Sequence, residues 1–145
     1  MTALRSEYSW VHSAPFRAHL RLLLDRTGLP WPVMALAADV PHRLVGRLLN
    51  TPGSRRLEKL PAETAQRLLG LTHHTLTELS RQQVPAQDTS RILAALLADG
   101  CPPTQLARYC RLSRSELSAT LASPTCSRLT ALLAQSARLQ YRTTG

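Results

Sequence analysis

Shifted against itself by 72 residues, the sequence aligns without a gap over Thr27–Leu49 and Asp99–Leu121. Gly28 falls on Gly100, Pro30 on Pro102, and Met34–Ala35 on Leu106–Ala107. Val40, Val45 and Leu49 fall on Leu112, Leu117 and Leu121. Identities are few, but the apolar positions agree throughout, and each copy follows a Leu-rich stretch that ends in Gly. Duplication explains this coincidence of Gly, Pro, Ala and spaced aliphatics better than two unrelated helical hairpins do. A chain of 145 residues has room for one ordinary domain or two very small ones, and the repeat selects the second.

The repeating unit reads as helical. Ala, Leu, Arg and Gln are good helix formers, and long runs of Val, Ile and Thr are absent. Aromatic residues make up only 4% of the chain, so Leu, Val and Ala must build the core, as suits small helices packed closely. Ser13 and Pro15 predict the start of a first helix, with Phe16, Leu20, Leu23 and Leu24 at helical spacing and Gly28 as its C-cap. Further helices are expected over Trp31–Ala38, Pro41–Leu49, Pro61–Leu69 and Thr72–Gln82. In the second half, Asp88 is expected to cap a helix ending at Gly100. Helices over Pro103–Cys110, Ser113–Ala122 and Cys126–Leu139 follow. The fold class is all-α.

Charge narrows the partner. Eighteen basic against nine acidic residues give +9, which points to a polyanion. Every basic residue except Lys59 is Arg, a bias that GC-rich codon usage also produces. The excess is spread over both halves, +4 in residues 1–80 and +5 in residues 81–145. No stretch sets Arg opposite bulky aromatics, as a membrane-surface helix would, so a membrane partner is not expected. The first dozen residues lack the apolar core of a signal peptide, and no apolar run reaches the ~20 residues needed to cross a bilayer. Cys101, Cys110 and Cys126 form no CxxC pair and are expected as reduced thiols of a cytoplasmic protein.

Within each copy the spacing has a physical reading. Ala35 and Ala107 stand where two helices would cross closely. Val40 and Leu112 would fill the centre of a turn between them. Val45 with Leu49, and Leu117 with Leu121, lie four residues apart and form the inner stripe of a second helix. Ser113 suits the N-cap of that helix; Pro41, its counterpart, forgoes the cap but pre-sets φ. Over Met34–Leu49 and Leu106–Leu121 the chain resembles the bacterial helix-turn-helix pattern I-A-x-x-x-G-V-S-x-x-T-V-x-R-x-L. In its Arg, Ala and Leu content it is similar to actinobacterial and phage regulators. Both copies depart from the family at the turn glycine, replaced by Asp39 and Arg111.

The resemblance implies two helix-turn-helix bundles in tandem. We place an N-terminal arm at 1–12, a first domain at 13–82, a linker at 83–87 and a second, shorter domain at 88–145. It also implies a recognition helix at about 41–50, whose outward face offers His42, Arg43, Gly46, Arg47 and Asn50 to duplex DNA. Arg donates two hydrogen bonds to guanine O6 and N7, and Gly46 is expected to permit close approach. Arg55, Arg56 and Lys59 in the following loop are expected on flanking phosphates. The second motif, at about 103–122, offers Arg108, Arg111, Arg114, Ser115 and Ser118. Glu116 and Ala119 weaken it, although a carboxylate there can accept from cytosine N4.

Other constellations carry less. His73 and His74 point to different faces of a helix, and no HxxxH or CxxC spacing accompanies them, so no metal is expected. Cys110 takes the inner position that Ala38 holds in the first copy and is expected in the core. Nothing resembles a nucleophile elbow, a phosphate loop or a paired-carboxylate site, and neither an enzyme nor a cofactor is expected. Trp10 and Trp31 are candidates to stack on bases, although Trp31, at the opening of a motif helix, is better suited to the core. The sequence therefore points to a cytoplasmic, nucleoid-associated DNA-binding regulator, monomeric or homodimeric. The alternatives are a weakly specific architectural DNA binder and a protein-interaction module acting through the second repeat.

Overall fold

A computed structural model describes residues 9–51 and 55–144, with side chains through Tyr141. The chain is mainly helical and divides into two units, one through Leu76 and one from Thr77. Unit 1 runs β1 (Trp10–His12), α1 (Ala14–Thr27), α2 (Trp31–Ala38), α3 (His42–Leu48), β2 (Lys59–Pro61) and α4 (Ala62–Leu69). Helix α5 (His73–Glu78) spans the division. Unit 2 continues with β3 (Gln83–Pro85), α6 (Gln87–Ala98), α7 (Pro103–Tyr109), α8 (Arg114–Ala122), β4 (Thr125–Ser127) and α9 (Arg128–Thr144). Both units thus follow one plan, β-α-α-α-β-α.

The strands are the first departure from an all-α reading. Strand β1 lies in the expected arm and β3 in the expected linker. Each pairs antiparallel with a strand that follows the third helix of its unit, Val11 opposite Leu60 and Val84 opposite Cys126. Three-residue strands leave no usable period in a sequence, and their partners lie at least 40 residues away. Leu60 is fully buried and Cys126 nearly so, which ties each ladder to the core of its unit.

Helix boundaries follow local chemistry where that chemistry is strong. Gly28 adopts φ 67° after α1, and its N–H bonds the Leu24 carbonyl. Pro30 and Pro102 sit as extended N-cap residues before α2 and α7. Two expected caps are not made. Ser13 has helical backbone angles, and its buried hydroxyl has no hydrogen-bond partner among the described residues. Its N–H instead donates to Glu58, beside the β1–β2 ladder. Asp88 lies inside the first turn of α6, because Ala86 is anchored by its N–H to the Pro124 carbonyl and the helix begins one residue later. Helix α5 stops at Glu78, and α9 starts after Ser127, whose hydroxyl accepts from the Thr130 N–H at 3.0 Å.

In unit 1, Leu20, Val33, Met34, Val45, Leu48, Leu60 and Leu68 are completely buried; in unit 2, Leu93 and Leu133 are, with Leu106 and Ala107 close behind. Burying each Leu contributes about 2 kcal/mol, so these layers of aliphatics replace the missing aromatics. Cys110 lies in this core, and burial pushes its thiol pKa up to about 12. Cys101, Cys110 and Cys126 all carry free thiols.

Candidate functional site

The two helix pairs that carry the expected site residues are built alike. In unit 1, α2 ends on Asp39 at φ 57°. The Val40 N–H bonds the Ala35 carbonyl at 3.0 Å and the Asp39 N–H bonds Leu36 at 3.4 Å. In unit 2, Cys110 caps α7 and Arg111 follows at φ 59°; the Leu112 N–H bonds the Ala107 carbonyl at 2.8 Å and the Arg111 N–H bonds Arg108 at 3.1 Å. This double closure by a left-handed residue satisfies the last carbonyls of the first helix and turns the chain sharply into the second. Ala35 and Ala107 are buried at the crossing, as their small size requires. Arg at φ 59° is a costly choice for such a position, whereas Asp tolerates it.

Helix α3 ends the same way. Asn50 adopts φ 58°; its N–H bonds Arg47 at 3.2 Å, and the Thr51 N–H bonds Gly46 at 3.0 Å. The chain leaving α3 is then held against it by two further bonds, and both helix and chain are tied to α1 by Arg17 and Arg21. The Leu57 N–H donates to the Arg47 carbonyl at 3.3 Å, and Arg47 Nε donates to the Arg55 carbonyl at 3.1 Å. From α1, the buried Arg17 donates through Nε to Leu48 at 2.6 Å and through Nη2 to Leu57 at 2.9 Å. Arg21, one turn along α1, reaches the Leu49 carbonyl at 3.3 Å.

Of the expected residues in unit 1, Arg43, Arg47, Asn50, Arg55, Arg56 and Lys59 are exposed, and His42 is half-buried at the start of α3. The bond between Arg47 and Arg55 brings helix and loop together, while Arg56 lies 3.9 Å from Glu58. Gly46 is placed differently from expectation. It is buried, and a Cβ there would come within 3.2 Å of both the Trp31 ring and the Thr51 hydroxyl. Its smallness serves an internal crossing, because the half-buried Trp31 of α2 occupies the space beside it.

In unit 2, Arg108, Arg111, Arg114, Ser115 and Ser118 are exposed along the end of α7, the turn and α8. Glu116 has another task than contacting a base. Its Oε1 accepts from the Ser113 N–H at 2.9 Å while the Ser113 hydroxyl accepts from the Glu116 N–H at 3.1 Å, a reciprocal cap. Hydrogen bonds from Ser113 hold its carboxyl below the usual range. The S-x-x-E spacing that signals this cap stands at 113–116. Arg17 also escapes the sequence reading, although its place three residues before Leu20 puts it on the inner stripe of α1. Among the described residues no group of His, Cys, Asp and Glu could hold a metal ion, and no helix is long and apolar enough to cross a membrane.

Comparison with known proteins finds no matching family model, no matching curated protein and no matching solved structure.

Proposed function

We propose that this chain is a DNA-binding protein, a transcriptional regulator with two helix-turn-helix units in tandem. It reads duplex DNA through α3, with a second, weaker reader in α7–α8. One observation carries the reading: α3 follows a left-handed turn after α2 and holds Arg43 and Arg47 on its exposed side, with Arg55 bonded alongside. The Nε of Arg47 is occupied by the Arg55 carbonyl, and among the described residues nothing accepts from its two terminal nitrogens. Those two nitrogens match guanine O6 and N7, and an internally anchored side chain loses less entropy on binding. Arg55, Arg56 and Lys59 serve as phosphate contacts that fix register.

Unit 2 supports a second reading. The Glu116 carboxylate is committed to the Ser113 cap, and the neighbouring exposed positions Ser115, Ser118 and Ala119 are small. Such a face suits a protein partner better than a base edge, so α8 is the place to look if unit 2 proves silent on DNA.

The test is fluorescence anisotropy with random-sequence duplex DNA at about 50 and 200 mM salt, followed by selection of preferred sequences. Binding at micromolar concentration or tighter that weakens steeply with salt is expected. Arg43→Ala and Arg47→Ala should each cost about 1–3 kcal/mol on a selected site and relax its base preference. Absence of binding at low salt, or unchanged affinity in both variants, overturns the proposal.

A further inference from the structure

The two β-ladders hold equivalent places in their units but present different chemistry. In the first, Trp10 lies opposite Pro61 and His12 opposite Lys59, so these four side chains share one face while Val11 and the buried Leu60 take the other. Trp10 is 61% exposed, the largest exposed apolar side chain among the described residues, and His12 and Lys59 are exposed beside it. In the second ladder the same positions hold Gln83, Ser127, Pro85 and Thr125, with neither charge nor aromatic ring. The first ladder is also continuous with the site on α3. Lys59 stands two residues from Leu57, whose N–H bonds the Arg47 carbonyl and whose own carbonyl accepts from Arg17. The basic pair Arg55 and Arg56 precedes it directly. Glu58 is the one acidic residue of this stretch, and it faces Arg56 at 3.9 Å.

We propose that the outward face of the β1–β2 ladder, Trp10 with His12 and Lys59, is a second contact to the duplex that α3 reads. Lys59 engages a phosphate, and the Trp10 ring packs on the adjoining sugar. This rests on the DNA-binding reading above. Charge decides the occupant: an exposed aromatic ring beside the Lys59 cation and the His12 imidazole, continuous with Arg55 and Arg56, complements a polyanion with apolar sugars. The loss of all these groups in the otherwise equivalent ladder of unit 2 indicates that the fold does not require them. Unit 1 therefore holds both base-reading and flanking contacts, and unit 2 lacks the second kind.

The experiment compares the full-length chain with Trp10→Ala and Lys59→Gln, with Gln83→Ala and Thr125→Ala as controls at the equivalent positions of unit 2. The probe is a labelled duplex of about three helical turns. Each ladder-1 variant is expected to weaken binding about five- to tenfold, and Lys59→Gln to reduce the salt slope by about one, while both controls bind as the parent does. Trp10 fluorescence, read in a Trp31→Phe background, is expected to change on adding DNA. If Arg47→Ala weakens binding but both ladder-1 variants bind as the parent does, the ladder contact is overturned, the Lys59 phosphate contact falls with it, and the reading through α3 stands. If the parent binds no duplex, both fall. Self-association lost in Trp10→Ala with DNA affinity unchanged assigns the face to a second copy of the chain and overturns the proposal.

Discussion

The Arg17 guanidinium on α1 donates through Nε to the Leu48 carbonyl, 2.6 Å away at the end of α3. In unit 2 the equivalent helix carries Ser90, whose hydroxyl donates to the equivalent carbonyl, Thr120, at 3.1 Å. Both units thus tie the end of their third helix to their first helix through side-chain donors, Arg17 and Arg21 in unit 1 and Ser90 in unit 2. The difference follows the loops. Residues 49–58 separate α3 from β2, whereas only residues 123–124 separate α8 from β4. A fork with several donors can hold both the helix end and the longer loop; a hydroxyl suffices where the loop is short. A helix end left without such a donor would bury unsatisfied carbonyls.

Arg17 is buried, and its cation is balanced by carbonyl oxygens alone among the described residues. Replacing it by Leu should leave both acceptors unmade and destabilise unit 1 by about 2–3 kcal/mol, measured by urea unfolding. Arg17→Lys should recover only part of this, because an ammonium cannot span both carbonyls as a planar fork does. Stability equal to the parent in Arg17→Leu would show that the two bonds contribute nothing net.

Gly46 balances two opposing effects. Ala is the better helix former by about 1 kcal/mol, but its Cβ would meet Trp31 and Thr51 at 3.2 Å. The half-buried Trp31 ring can tilt slightly, so Gly46→Ala should change stability by less than about 1 kcal/mol. Gly46→Val adds two methyl groups beyond the Ala Cβ to a space with no room and should cost about 1–3 kcal/mol. Thermal unfolding of the two variants checks the contrast. If Val is tolerated as well as Ala, the Trp31 contact is not tight.

Arg111 stands at φ 59° in the turn of unit 2. Arg111→Gly should raise stability by about 0.5–1 kcal/mol, the relief of left-handed strain less the extra chain entropy of Gly. Asp39→Gly, at φ 57° in unit 1, should gain less, since Asp tolerates this conformation. Under the DNA-binding proposal Arg111→Gly should also lower the salt slope by about one. Denaturation and anisotropy on the same protein separate the two effects.

Ser113 and Glu116 cap α8 reciprocally. Ser113→Ala should cost about 1 kcal/mol. Glu116 has its carboxyl held below the ordinary 4.5 by hydrogen bonds from Ser113, so the folded state binds its proton less readily than the unfolded chain does. Its contribution is therefore complete above pH 4.5 and is lost as pH falls below that value through the lowered one. Glu116→Gln should be less stable than the parent at neutral pH, and the gap should close in acid. A gap that persists unchanged in acid would mean that the carboxylate charge plays no part in the cap.

Features settled by neighbours within a few residues are legible in the chain alone. The gapless repeat, the left-handed stop at Gly28, the Pro before α2 and α7 and the Ser113 cap all follow from spacing and backbone preference over one or two turns. Of the expected aliphatic stripes, Val45 and Leu117 are buried, whereas Leu49 and Leu121 are half-buried and Leu48 takes the fully buried place at the end of α3. The tertiary structure decided everything whose partner is distant in sequence. The ladders pair Val11 with Leu60 and Val84 with Cys126; Arg17 finds carbonyls 31 and 40 residues away; Gly46 turns inward because Trp31 fills the space beside it. Such contacts form only once the helices have packed, because loop closure must bring the partners together before any bond between them stabilises the fold. Exposure of Arg43, Arg47 and Trp10 is decided at the same stage, since a side chain's face is fixed only when its neighbours are.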